Sequence, residues 1–126
     1  MSQTNELEIM ERIALDLEGV EESLASSFNT GAEDFNALIR PLSAAGGKRL
    51  RAQLCLLIAN AGTSVDRQRI RIAEAVEMLH LATLIHDDVL DQAEIRRGED
   101  TIHMHKGNKV AILSGDYLFA KAFQIV

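Results

Sequence analysis

Three carboxylates crowd the run His86-Asp87-Asp88-Val89-Leu90-Asp91. On a helix, at about 100° per residue, Asp87 and Asp91 lie about 40° apart and Asp88 lies about 60° from Asp91, so the three are expected to converge. Carboxylates that close repel one another, and the negative end of the helix macrodipole disfavours them further. A cation relieves both penalties. Oxygen ligands with no Cys among them suit Mg²⁺, which keeps several waters and completes its shell with phosphate oxygens. Read alone, the run also fits a solvated acidic helix end. Its surroundings favour the metal: Leu79, Leu81, Ala82, Leu84 and Ile85 precede it, so the acids sit at the mouth of a buried face, and Arg96 and Arg97 follow closely. Paired guanidiniums offer bidentate donors to phosphate oxygens that the metal leaves free. Acidic and basic groups together point to a metal-bridged phosphate.

A second anion seat is readable upstream. Lys48, Arg49 and Arg51 follow Gly46-Gly47 at the expected start of a helix, where free N–H groups and the positive dipole end attract anions. The alternative is a solvated basic first turn. His80 lies seven residues before Asp87, a rotation of about 20° and a distance of about 10.5 Å along the same face, so it can face an anion too. An ordinary core or interface histidine is the plainer reading.

The elements that must position these groups read as helices. Met10, Ile13, Ala14, Leu17 and Leu24 recur with helical period, and Asn29, Thr30 and Gly31 punctuate them. A short helix over Asp34 to Arg40 is expected to stop at Pro41. A third helix, about Lys48 to Ala61, carries an apolar face of Leu50, Leu54, Leu57 and Ile58 and ends at Gly62, after which Ser64 or Asp66 can cap the next. Arg67 to about Leu90 has no Gly or Pro and makes the longest helix, roughly 35 Å. Arg96 to Gly107 is expected to be irregular, and Asn108 to cap a last helix running to Val126. With no internal repeat and no strand alternation, the fold class is all-α, with long helices packed side by side.

Composition narrows the function classes. The 126 residues hold 13 Lys and Arg against 19 Asp and Glu, a net charge of −6, which argues against a nucleic-acid partner. The lone Cys55 has no disulfide or zinc partner and fits a reducing cytoplasm. The first twenty residues carry Glu6, Glu8, Glu11, Asp16 and Glu18 and lack the pattern of an export signal. Apolar stretches such as Leu54 to Ala59 are far short of the roughly 20 residues that cross a bilayer. The size suits one domain or part of one. Part of one is favoured, because Ile112, Leu113, Leu118, Phe119, Phe123 and Ile125 reach the terminus and need other elements to cover them.

The ordered motifs Gly-Gly-Lys-Arg-x-Arg (Gly46 to Arg51), Glu-x-x-His (Glu77 to His80), Leu-Ile-His-Asp-Asp-x-x-Asp (Leu84 to Asp91), Arg-Arg-Gly (Arg96 to Gly98) and Gly-Asp-Tyr-Leu (Gly115 to Leu118) resemble those of trans-isoprenyl diphosphate synthases. The likeness covers nearly everything from about residue 40. It implies an antiparallel helical bundle of the isoprenoid synthase type, of which residues 1–126 are the N-terminal part of a single domain. It also implies a head-to-tail condensation, in which an allylic diphosphate ionises and isopentenyl diphosphate adds to the carbocation. Carried over, Asp87, Asp88 and Asp91 resemble the first aspartate-rich motif, which holds Mg²⁺ on the allylic diphosphate, and Arg96 its direct contact. Lys48, Arg51, His80 and Arg97 resemble the isopentenyl diphosphate site, with Arg49 a less certain member.

In such enzymes bulky aromatics four or five residues before the first Asp give short products. Here those positions hold Thr83 and Ala82, so the resemblance favours a longer all-trans polyprenyl product, with a geranylgeranyl product as the alternative. The family's second aspartate-rich motif and a Lys-Thr pair lie on later helices that this chain does not contain. The resemblance therefore implies a homodimer or a complex with a chain supplying those parts, and no turnover by these residues alone. A non-catalytic or split subunit of a heteromeric prenyl synthase is the other function class. A di-metal carboxylate bundle needs two Glu-x-x-His motifs, and only Glu77 to His80 is present. An EF-hand needs alternating oxygen ligands and a central Gly. His103 and His105 read as solvated loop residues beside Lys106 and Gly107.

Overall fold

The computed structural model describes residues 3–44, 48–61, 67–96 and 98–126. Six helices account for nearly all of them: α1 Gln3–Ser27, α2 Glu33–Ala44, α3 Leu50–Ala61, α4 Gln68–Leu90, α5 Ile102–Lys106 and α6 Asn108–Ile125. The fold is all-α, as expected, with one small addition. Between α4 and α5, β1 Ile95–Arg96 pairs antiparallel with β2 Glu99–Asp100.

Helix α4 is the axis of the bundle, because its core-facing stripe of Ala73, Met78, Leu81, Ala82 and Ile85 runs its whole length. Cross-links set the directions of its neighbours. Arg69 grips both Asp16 carboxylate oxygens at 2.8 Å, and Ser27 donates to Glu74 at 2.6 Å, so α1 and α4 ascend together. The Arg69 hydrogen bonds hold the Asp16 carboxyl below its ordinary value of 3.8, against the upward pull of burial. Ala52 meets Glu77 near one end while Asn60 reaches Asp16 at the other, so α3 runs antiparallel to both. On α6, Ile112 touches His86 near the end of α4, whereas Gln124 and Lys121 share a cleft with Arg67 and Arg71 at its start. Thus α6 is antiparallel to α4. Val20, Leu24, Phe28, Ile39, Leu56, Met78 and Leu118 fill the space between them.

Several sequence expectations change here, the longest helix among them: α1 spans 25 residues and α4 23. Helix α2 continues through Pro41 to Ala44. Pro41 and Ala37, whose carbonyl loses its intrahelical partner, both face solvent, so water can satisfy that oxygen while Ile39, Leu42 and Ser43 stay packed on the other side. The expected inner face of α3 points outward: Leu50, Leu54, Leu57 and Ile58 are 49 to 66 % exposed. Ala52, Leu56 and Asn60 are buried instead. Helix α3 is apolar almost all round, so periodicity cannot choose its face, and polar ties do. Similarly, Met10 and Ala14 lie outside on α1, where Val20, Leu24 and Phe28 make the deeper contacts.

Asn108 is the first residue of α6 rather than its cap, and Gly107 takes the cap position at φ 89°. The segment expected to be irregular holds β1, β2 and α5. Gly46, Gly47, Gly62, Ser64 and Asp66 lie outside the described residues. No helix among the described residues is long and apolar enough to cross a membrane.

Candidate diphosphate site

The carboxylates sit where α4 ends, and the way it ends decides what they meet. Ala93 N–H bonds the Asp88 carbonyl at 2.9 Å and Gln92 N–H the Val89 carbonyl at 3.3 Å, with Gln92 at φ 54°. This is a Schellman closure with Gln where Gly is usual. It turns the chain back over the helix end, and the hairpin is then pinned. Thr101 donates its N–H to the Glu94 carbonyl at 3.0 Å and its hydroxyl to the Ala93 carbonyl at 2.9 Å. His103 also meets the Ala93 carbonyl through its ring, so it is a structural tie and not a solvated residue.

The hairpin delivers Arg96 to Asp88. Arg96 Nε lies 2.8 and 3.0 Å from the two Asp88 oxygens, and Nη2 lies 2.6 Å from Oδ1. Asp88 is buried, whereas Asp87 and Asp91 are exposed one turn apart. The Asp88 hydrogen bonds raise the Arg96 pKa above its ordinary value, and the charges of Asp88, Asp87 and Asp91 add to this against desolvation. All three acids therefore act on one guanidinium.

The expected convergence of the trio takes a different form. Among the described residues no three His, Cys, Asp or Glu side chains come together closely enough to hold a metal. Asp88 turns inward to Arg96, which relieves the repulsion a cation was expected to relieve. What remains outward is the Asp87–Asp91 pair. Mg²⁺ is commonly held by one or two carboxylates plus water and substrate phosphates, so two exposed hard-oxygen donors beside a guanidinium fit it by donor chemistry.

The sequence-predicted residues divide between two roles. His80, Thr83, Asp87 and Asp91 share one face of α4, the side away from Met78, Leu81 and Ile85. His80 is half-buried, and its carbonyl accepts the Thr83 hydroxyl at 2.7 Å. Ala82 is fully buried in the core, so of the two positions tied to product length only Thr83 lies on that open side. Lys48 and Arg51 are exposed at the start of α3.

Arg49 is committed elsewhere. Its Nε lies 2.6 Å from Glu21 Oε1, and Nη2 donates to the Ser43 carbonyl at 2.7 Å. It also holds a left-handed φ of 55°, and it ties α1, α2 and α4 together. Arg97 lies outside the described residues.

The sequence places Glu77 in a motif but does not disclose its role as a cap. Its side chain is 3 % exposed, Oε1 accepts the Ala52 N–H at 3.0 Å, and Oε2 lies 3.7 Å from Arg49 Nη1. The N-terminus of α3, expected to await an anion, thus already has a carboxylate from α4 on one of its N–H groups. A cap from a distant helix leaves no local signal beyond the acid's place on a buried face. Glu77→Ala is expected to cost about 2–3 kcal/mol in denaturant unfolding, since it strands a buried N–H and weakens a buried ion pair. Glu77→Gln, which keeps an acceptor for Ala52, is expected to cost less.

The family model described as Polyprenyl synthetase matches residues 32–126. Octaprenyl diphosphate synthase of Escherichia coli is 35% identical over 118 residues, covering 94% of this chain and 36% of that protein. Solanesyl diphosphate synthase 1, chloroplastic, of Arabidopsis thaliana is 37% identical over 120 residues, covering 90% and 30%. A polyprenyl synthase from Caulobacter crescentus, solved with calcium and isoprenyl diphosphate, superposes with a TM-score of 0.86 at 35% identity, covering 93% of this chain and 36% of that one. The chain thus spans about a third of the length of these relatives.

Proposed function

The chain belongs to the polyprenyl synthetase family, and from that premise we propose that it forms the allylic-diphosphate half of a Mg²⁺-dependent trans-prenyltransferase. The observation that carries this reading is the Arg96 fork on buried Asp88 with Asp87 and Asp91 exposed beside it. Asp87 and Asp91 would hold the metal, with Asp88 behind them keeping Arg96 in place. When bound, Mg²⁺ supplies the positive charge that makes diphosphate a competent leaving group.

The chain's own residues do the rest. Arg96 is a planar guanidinium, charged at any working pH, and the donors that Asp88 leaves free would stabilise negative charge developing on the departing oxygens. Lys48 and Arg51, exposed at the start of α3, are assigned to isopentenyl diphosphate, together with His80 and Arg97. Arg49 is left out of that group because its donors are spent inside the bundle. Condensation proceeds by C–O cleavage in the allylic substrate and attack of the isopentenyl double bond on the cation. The proton lost in the last step passes to the released diphosphate. Thr83 on the open side of α4 leaves room for a growing chain, and relatives named for solanesyl and octaprenyl products support a long polyprenyl product. The remaining wall of the cavity and a second metal-holding motif are assigned to the part of the relatives beyond this chain, in a homodimer or a complex and in the cytoplasm.

Incubating the full-length protein with labelled isopentenyl diphosphate, a series of allylic diphosphates and Mg²⁺ tests this. Chelator-sensitive formation of a long polyprenyl diphosphate is expected. Absence of label in any prenyl product, with every primer and with candidate partner chains added, would contradict it and favour a non-catalytic subunit.

A further inference from the structure

The motif Gly115-Asp116-Tyr117-Leu118 has no part in the scheme above, yet it lies directly against the residue preceding the carboxylates. His86 Nε2 is 3.1 Å from the Ile112 carbonyl oxygen and 3.3 Å from Asp116 Oδ1. Both are acceptors, so Nε2 carries the ring proton and the pair fixes the tautomer. The ring also packs on Phe119, with centroids 5.5 Å apart and planes inclined by 36°. Beneath it is Gly115. A Cβ there would stand 2.2 Å from Nε2, 2.4 Å from Cδ2 and 3.0 Å from Cε1. The buried side of α6 carries the small residues Ala111, Ser114 and Ala122 beside Leu118, and the ring fills the space a Cβ at Gly115 would take, so the imidazole is seated and not merely adjacent.

We propose that His86 is a positioning residue: seated on Gly115 and held by Ile112 and Asp116, it locks the register of α4 against α6 and so fixes the carboxylates that follow it. The inference rests on the function proposed above. Asp87 and Asp88 are the next two residues, and α4 ends within a turn of them, so the clamp lies directly before the site. A helix slides by about 1.5 Å per residue of register, and a misplacement of about 1 Å at a reacting centre can cost on the order of 100-fold in rate. An unclamped helix end would therefore hold the same carboxylates and still present them poorly. Asp116, being 59% exposed, contributes orientation to the ring more than burial.

The test uses the full-length protein and four variants: Gly115→Ala, the double variant His86→Ala with Gly115→Ala, His86→Leu and His86→Gln. Two quantities are read, the melting temperature and the Mg²⁺ concentration that half-saturates binding of a non-ionisable allylic thiolodiphosphate. Gly115→Ala is expected to melt well below the parent, and removing the ring in the double variant is expected to recover the loss. The double variant and His86→Leu should still need at least tenfold more Mg²⁺, whereas His86→Gln, which keeps a donor at the position of Nε2, should return to within about threefold of the parent. Binding of isopentenyl diphosphate should not change.

Melting of Gly115→Ala at the parent temperature would overturn the clamp. A parent-like Mg²⁺ requirement in His86→Leu would overturn the positioning role. If the parent protein itself binds no thiolodiphosphate with Mg²⁺, the proposed function fails and takes the positioning role with it, while the melting pair still decides the clamp.

Discussion

Replacing Arg96 with Leu is expected to lower turnover by about 10²–10³-fold and to destabilise the protein at the same time. The two losses have separate causes. Turnover falls because the guanidinium assigned to the developing diphosphate charge, with the N–H donors that Asp88 leaves free, is gone. Stability falls because Asp88 is 8% exposed and loses a partner that contacts both its oxygens. The Arg96 side chain is 34% exposed, so solvent screening limits the cost to about 1–3 kcal/mol, below that of a fully buried pair. Arg96→Lys is expected to recover part of the stability and little of the rate, because an ammonium cannot span two oxygens. Adding Asp88→Asn to Arg96→Leu should restore stability by removing the stranded charge, with turnover still lost. Denaturant unfolding and steady-state rates on the same preparations separate the two effects.

The second large effect has opposite signs in the two measurements. Asp87→Asn with Asp91→Asn is expected to remove turnover by about 10³-fold or more, since the charge stabilisation a metal gives to phosphoryl oxygens is worth several kcal/mol. The same change should leave stability unchanged or raise it by a few tenths of a kcal/mol. Both carboxylates are exposed, stand four residues apart and lie at the negative end of α4, so each neutralisation removes a repulsion. A marked fall in melting temperature would mean that these acids serve the fold, contrary to the assignment.

Much of the site was legible because its signals are local. The Gly- and Pro-free run that becomes α4, the acids at its end and the arginine a few residues beyond are consecutive features. How the acids live without a metal was not legible. The arrangement depends on a helix closure with Gln92 in the left-handed position, where no Gly marks the turn, and on a two-residue hairpin too short for any alternation to announce. Equally hidden was the fate of the second cationic group. Lys48, Arg49 and Arg51 look alike in the sequence, and only tertiary contacts separate Arg49, tied to Glu21 and Ser43, from its exposed neighbours. Helix α3 failed for the reverse reason. Its apolar residues occur on every side, so hydrophobicity could not rank the faces, and the choice fell to Glu77 on Ala52 and to Asn60, which bonds the Leu56 carbonyl and reaches Asp16.

Arg96 on Asp88 also revises the energetics of the acid cluster. The sequence implies an acid cluster that is costly without a cation, and the protein supplies that cation from its own hairpin. Arg96 serves the Asp88 carboxylate, and the same guanidinium is the one assigned to the diphosphate. The two exposed carboxylates are left to solvent and are the pair assigned to the metal. This division of labour accounts for a carboxylate pair on the open face of α4 and a third turned inward.

The most direct measurement is calorimetric titration of the full-length protein with an allylic thiolodiphosphate, in Mg²⁺ and in chelator, alongside Arg96→Leu and the Asp87→Asn, Asp91→Asn pair. Binding that weakens at least tenfold without Mg²⁺, by a similar factor in the double variant whatever the metal, and in Arg96→Leu even at saturating Mg²⁺, is the predicted result. Equal affinity in Mg²⁺ and in chelator, or parent-like affinity in both variants, would contradict the assignment of the end of α4 to a metal-bridged diphosphate.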